Sequence, residues 1–149
     1  MTRLALFIAA ASFALLSSAS EPTPPLSCVS NNACGCSIVV TGSSCPSGGA
    51  HFFHELADGS PLQFHLGLRT AATSTQAQTN VFTPGPGDSW TESYRYGGGA
   101  IEIRYTPGAT TCPKLAQGEQ CEYFDVRARV LISNPQGNFS YSGVGTCGC

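Results

Sequence analysis

Three groups of residues in this chain carry side chains capable of chemistry. His51, His54 and His65 lie close together, and neutral imidazole is both a common zinc or copper ligand and a base that works near pH 7. A hairpin joining His51–Leu56 to Leu62–Leu68 around Asp58-Gly59 sets His54 opposite Gln63 and diagonal to His65 on the same face. His54 and His65 are then the candidate metal pair, with His51 pointing the other way. The run His51-Phe52-Phe53-His54-Glu55 has neither the His-Glu-x-x-His nor the His-x-x-Glu-His order of zinc peptidases. The competing reading is of partly exposed histidines beside an aromatic core.

Carboxylates and aromatic rings form the second group. A hairpin through Gly97-Gly98-Gly99 that pairs Tyr96 with Ala100 sets Tyr94 opposite Glu102 and Glu92 opposite Arg104, and leaves Ile101, Ile103 and Tyr105 for the core. Trp90, Glu92, Tyr94, Tyr96, Glu102 and Arg104 then form an outward strip. Rings stack on flat apolar faces and carboxylates accept hydroxyl hydrogen bonds, so the strip suits a carbohydrate or a partner protein. The plainer alternative is ordinary cross-strand pairing on a solvated sheet. Two glutamates on one face also fit a retaining glycosidase, which needs its carboxyls about 5 Å apart, but the chain is short for a substrate cleft and Arg104 would hold Glu92 as a structural partner. The sequence contains no Gly-x-Ser-x-Gly elbow, phosphate loop or dinucleotide fingerprint, and no cofactor is expected.

Eight cysteines form the third group. Cys34-Gly35-Cys36 and Cys147-Gly148-Cys149 each place two sulfurs on one side of an extended strand. Antiparallel pairing of Cys34–Val40 with Gly143–Cys149 brings Cys34 opposite Cys149 and Cys36 opposite Cys147, and sets Ile38 and Val40 against Gly145 and Gly143. Cys112 and Cys121 bracket a short loop and pair most simply with each other, which leaves Cys28 for Cys45. Thiolate binding of zinc or copper is the rival chemistry, and an oxidising destination disfavours it.

That destination is read from the first residues. Met1-Thr2-Arg3, an apolar run Leu4–Leu16 broken only by Ser12, and small residues at Ser17-Ser18-Ala19 have the form of a signal peptide over residues 1–19. Its 13-residue apolar run is shorter than the about 20 that span a bilayer, and Leu26 stands where a lipoprotein signal needs a small residue, so a released, extracellular protein is expected. Residues 20–27, with Pro22, Pro24 and Pro25, read as a stiff leader, a linker or free end. Residues 28–149 are expected to form one domain.

The elements that position these groups are strands. Phe124, Val126, Ala128, Val130 and Ile132 alternate with Asp125, Arg127 and Arg129, so one face is core and the other wet. A turn at Asn134-Pro135-Gln136-Gly137 leads into a returning strand. With Ser133 opposite Asn138, Ile132 meets Phe139, Val130 meets Tyr141 and Phe124 meets Cys147, which collects the large apolar residues on one face. A short helix over residues 49–57 is the alternative to a strand there. The fold expected is all-β: an antiparallel β-sandwich or barrel of about seven short strands, stapled by disulfides.

Without the signal peptide, six basic residues face nine acidic ones, a net charge of −3. Neither nucleic acid nor a membrane is an expected partner for a chain of that balance. Asn138-Phe139-Ser140 is a glycosylation acceptor beside a turn. The expected function is that of a secreted, non-enzymatic binding or structural protein whose partner is a carbohydrate or an extracellular protein. The alternatives are a small secreted hydrolase or metal-dependent enzyme, and an inhibitor or effector presenting the loop Thr111–Gln120.

Overall fold

The computed structural model describes residues 23–31, 34–55, 60–67, 69–74, 89–110 and 123–148. The signal peptide, Cys112, Cys121, Cys149 and the loop Thr111–Gln120 lie outside these residues. The described chain is all-β and antiparallel. Its strands are β1 (Leu26–Ser27), β2 (Val29–Ser30), β3 (Gly35–Val40), β4 (Gly49–Ala50), β5 (Phe52–Glu55), β6 (Leu62–Leu66), β7 (Arg69–Ser74), β8 (Trp90–Tyr96), β9 (Gly99–Thr110), β10 (Phe124–Asn134) and β11 (Gly137–Gly148). Several are only two residues long, which is why they exceed the seven expected. Residues 49–55 form β4 and β5 on either side of His51, not a helix: Phe52, Phe53 and His54 are all buried, a two-sided burial that a strand between covered faces allows. Among the described residues no helix is long and apolar enough to cross a membrane.

Nine strands form one sheet in the order β1-β6-β5-β3-β11-β10-β9-β8, with β7 also on β6, and β2 and β4 form a separate pair. The order divides the chain into two halves. Strands β8 to β11 form a meander, the earlier strands form the other half, and the β3–β11 ladder joins them. The sheet curls until its far ends meet across a shared core. Phe64 on β6 lies edge-on to Tyr96 on β8, with ring centroids 5.2 Å apart, and Phe52 on β5 lies near Tyr141 on β11 at 6.1 Å. Ile38, Phe52, Leu62, Phe64, Ile101, Ile103, Val126, Val130 and Ile132 fill the interior.

Two registers follow directly from side-chain size. In β10–β11, Ser133 faces Asn138, Ile132 faces Phe139, Val130 faces Tyr141 and Phe124 faces Cys147, so the apolar alternation of both strands falls on the core side. In β3–β11, Cys36 faces Cys147, Ile38 faces Gly145 and Val40 faces Gly143. The backbones approach so closely here that a Cβ on Gly145 would collide with the carbonyl of Ser37, and one on Gly143 with the Ile38 side chain and the Val39 carbonyl.

Cys36 is bonded to Cys147 and Cys28 to Cys45, two of the expected pairs, and Cys34 is also disulfide-bonded. The proline-rich leader is docked and not free from Pro24 onward. The Tyr141 hydroxyl donates to the Pro24 carbonyl at 2.8 Å, the Gly67 N–H donates to the Pro25 carbonyl, and β1 pairs with β6.

Because the obstacle at Gly145 is backbone, a methyl group there cannot be relieved by a rotamer change. Gly145→Ala is expected to destabilise the fold by about 2–3 kcal/mol, read as a lower urea midpoint. Gly42→Ala serves as a control for positive φ alone, since Gly42 (φ 83°) has nothing within 4 Å of its Cβ position. A loss at Gly145 no larger than at Gly42 would count against close ladder packing.

Candidate functional site

The expected aromatic strip is not formed, and the cause lies in the glycine turn. Gly97 and Gly98 both have positive φ, 34° and 87°, and make a two-residue hairpin connection that few residues other than glycine tolerate. Tyr96 therefore pairs with Gly99, not Ala100, and Trp90, Glu92 and Tyr94 pair with Tyr105, Ile103 and Ile101. A slip of one residue exchanges the faces of a strand. Tyr94 is buried at 1% exposure and Glu92 at 4%, and Trp90 and Tyr96 pack against the same core. Glu102 and Arg104 are exposed on the opposite face. The six residues are divided between two sides of the sheet, and so is the carboxylate pair Glu92/Glu102.

Glu92 is a polar residue in the core, and its neighbours explain how it is tolerated. A buried carboxylate is costly unless donors satisfy it. The Tyr94 hydroxyl donates to Oε2 at 2.6 Å and the Trp90 indole N–H donates to Oε1 at 3.1 Å. Both come from the same face of the same strand, two residues to either side. His54 of β5 brings its Nδ1 to 3.4 Å from Oε2 across the core, and its ring lies edge-on to Tyr94. Burial alone would raise the Glu92 pKa, but the contact and charge of His54, with the bonds from Tyr94 and Trp90, outweigh it and hold the carboxyl below its ordinary value. Burial, and after it the carboxylate, pushes the phenols of Tyr94 and Tyr105 well above their usual range. The constellation is a buried anchor between two walls of the sheet.

The histidines are also dispersed. His54 pairs with Leu62, and Phe53 rather than His54 faces Gln63, so His65 lies on the face opposite His54 and the two do not form a metal pair. His51 is buried, accepts a hydrogen bond from the Val40 N–H on Nδ1 at 3.1 Å, and touches the Cys45 sulfur at 3.5 Å. Cys28, Cys45 and His51 are close enough to share a metal ion, but both sulfurs are committed to a disulfide. Burial lowers the His51 pKa, consistent with an imidazole that serves as an acceptor. Asn138 is exposed at the start of β11.

The outer face holds a group absent from the sequence reading. Alternation turns Arg127 and Arg129 of β10 outward, and the β9–β10 register places Arg104 directly opposite Arg129 and Thr106 opposite Arg127. On the other flank, Ser142 faces Arg129 and Val144 faces Arg127. A shallow groove of about 390 Å³ runs across these strands, lined by Arg104, Arg127, Arg129, Thr41, Thr106 and Ser142, with the Ala128–Gly143 pair at its floor. Among the described residues the ion pair recorded is His54–Glu92, and no carboxylate lies within ion-pair distance of these arginines. Glu102 and Asp125, on the same face, stand two residues away from Arg104 and Arg127 along their strands. Outward alternation was the signal available for Arg127 and Arg129; their convergence with Arg104 depends on a pairing across a long connection that spacing does not fix.

No family model, curated protein or solved structure matches the chain.

A carboxyl held below its ordinary pKa contributes stability above its unfolded value, near about pH 4, and that contribution is lost as pH falls through the folded value. Urea unfolding at pH 6 and pH 3 is expected to show an acid loss in the wild type that is smaller in Glu92→Gln. At pH 6, Glu92→Ala is expected to cost about 3 kcal/mol or more, since it strands buried donors. Equal acid losses in wild type and Glu92→Gln would assign the acid sensitivity to other groups.

Proposed function

We propose that this is a secreted, non-enzymatic binding module whose contact surface is the outer face of β9, β10 and β11. The observation that carries the reading is the arginine groove. Arg104 and Arg129 are directly paired across strands with no carboxylate among the described residues bridging them, an arrangement that costs stability. Local choices that work against the fold are characteristic of sites kept for function. The export signal read at residues 1–19 and the bonded cysteines support an extracellular setting. A binding role is favoured over catalysis because the carboxylates and histidines that could do chemistry are either sealed in the core or separated by the sheet.

The test is an array carrying both extracellular glycans and extracellular proteins, probed with the wild type and with Arg104→Ser/Arg127→Ser/Arg129→Ser. At least one class of ligand should bind the wild type and be lost from the triple variant, whose circular dichroism should be unchanged because all three side chains are exposed. Binding that survives in the variant would place the contact surface elsewhere.

A further inference from the structure

We infer that the ligand of this groove is an acidic polysaccharide, a polymer of sugars carrying carboxylate or sulfate groups. The inference rests on the outer face being the contact surface and adds the chemistry of what it contacts. Three guanidinium groups converge on one shallow trough, each able to present a planar fork of donors to a carboxylate or sulfate. Arg104 and Arg129 are neighbours across the ladder, about 5 Å apart at Cα, and Arg127 and Arg129 are separated by two residues along one strand, about 7 Å. The result is a row of positive charge and not a pocket for one small anion.

The hydroxyls of Thr41, Thr106 and Ser142 stand among the arginines and suit a ligand rich in hydroxyl groups. The groove also lacks what other polyanions exploit. Single-stranded nucleic acid is held by stacking on aromatic rings, and no ring lines this trough. Stable protein interfaces centre on buried aromatic or apolar anchors, whereas the apolar lining of this trough is Ala128, turned to the core, and Val144, at 55% exposure, with Leu131 on the same face outside it. An open trough across several strands accepts a chain passing through it, as a polysaccharide would.

The experiment measures binding of the full secreted chain to matched polymers that differ only in charge: dextran sulfate against dextran, and polygalacturonate against its methyl ester. Short duplex DNA and vesicles of anionic phospholipid are the remaining arms. The acidic member of at least one pair should bind and its neutral partner should not. Affinity should fall roughly twenty- to fortyfold between 50 and 200 mM salt, as release of about three counterions predicts. Arg127→Ser and Arg129→Ser should each weaken binding at least about tenfold. Arg95→Ser removes the same charge from the same face but outside the groove, and it should stay within about twofold of wild type.

A second readout is independent of any ligand: Arg129→Ser should leave the urea midpoint unchanged or higher, because Arg104 loses a like charge facing it. Equal, salt-insensitive binding to neutral and acidic polymers, abolished in the triple arginine variant, would overturn the acidic ligand while leaving the outer face as the contact surface. Binding to DNA or vesicles alone would overturn the polysaccharide. Failure of the wild type to bind any acidic polymer would overturn it as well, and the array of glycans and proteins would then decide the broader reading separately.

Discussion

The β3–β11 ladder is the constraint on which the rest of the molecule depends. It joins the meander of β8 to β11 to the strands that precede it in the chain, and it lies in the middle of the sheet order. Its two strands are far apart in sequence, so forming it carries the entropy of closing a long loop. Two features fix it once formed. Ile38 and Val40 require glycines opposite them because the backbones approach so closely, and Cys36 meets Cys147 only in the same register. A bridge spanning 111 residues removes unfolded-state freedom worth about 4–5 kcal/mol in the loop model. A slip by one residue would separate the sulfurs, press side chains into backbone and turn the core face outward.

With that seam set, the sheet closes on itself and its edge strand meets the opposite wall. The contact is partly apolar, through Phe64 and Tyr96, and partly polar, through His54 and Glu92. Glu92 carries much of its own solvation with it, since Trp90 and Tyr94 flank it on one face of β8. The strand can therefore bring a carboxylate into the core with two donors already in place, and His54 completes the contact from β5. That polar contact adds position: apolar rings tolerate sliding against each other, whereas a carboxylate held by two donors and facing an imidazole does not.

The sequence was most legible where size and alternation agree. The β10–β11 and β3–β11 registers follow from large apolar residues sharing one face and from glycines opposite branched side chains. The same test applied to β8 and β9 favours pairing Tyr94 with Ile101 and Trp90 with Tyr105, as observed, over pairing Tyr94 with Glu102. Three consecutive glycines permit either a two- or a three-residue turn, and Glu92 at an inward position runs against the rule that charge stays outside. Both features drew the expectation toward the wrong register, and one slipped residue was enough to turn a core face into an imagined ligand platform. The His54–His65 pair dissolved for the same reason, because a metal pair on a strand survives only if the register is right.

The arginine groove shows why composition was a weak guide to partners. A net charge of −3 after loss of the signal segment averages over the whole surface, but at physiological ionic strength a charge acts over only about 8 Å. Within that distance, Arg104, Arg127 and Arg129 reinforce one another, because neighbouring strands and alternate residues bring them closer than the screening length. Glu102 and Asp125, two residues from Arg104 and Arg127 on the same face, offset part of that field. The inner face already takes the apolar half of β9 and β10, so every residue that alternates with it must point outward. Packing of the core thus gathers positive charge on a chain that is acidic as a whole, and an approaching ligand responds to that local row before it responds to the net charge.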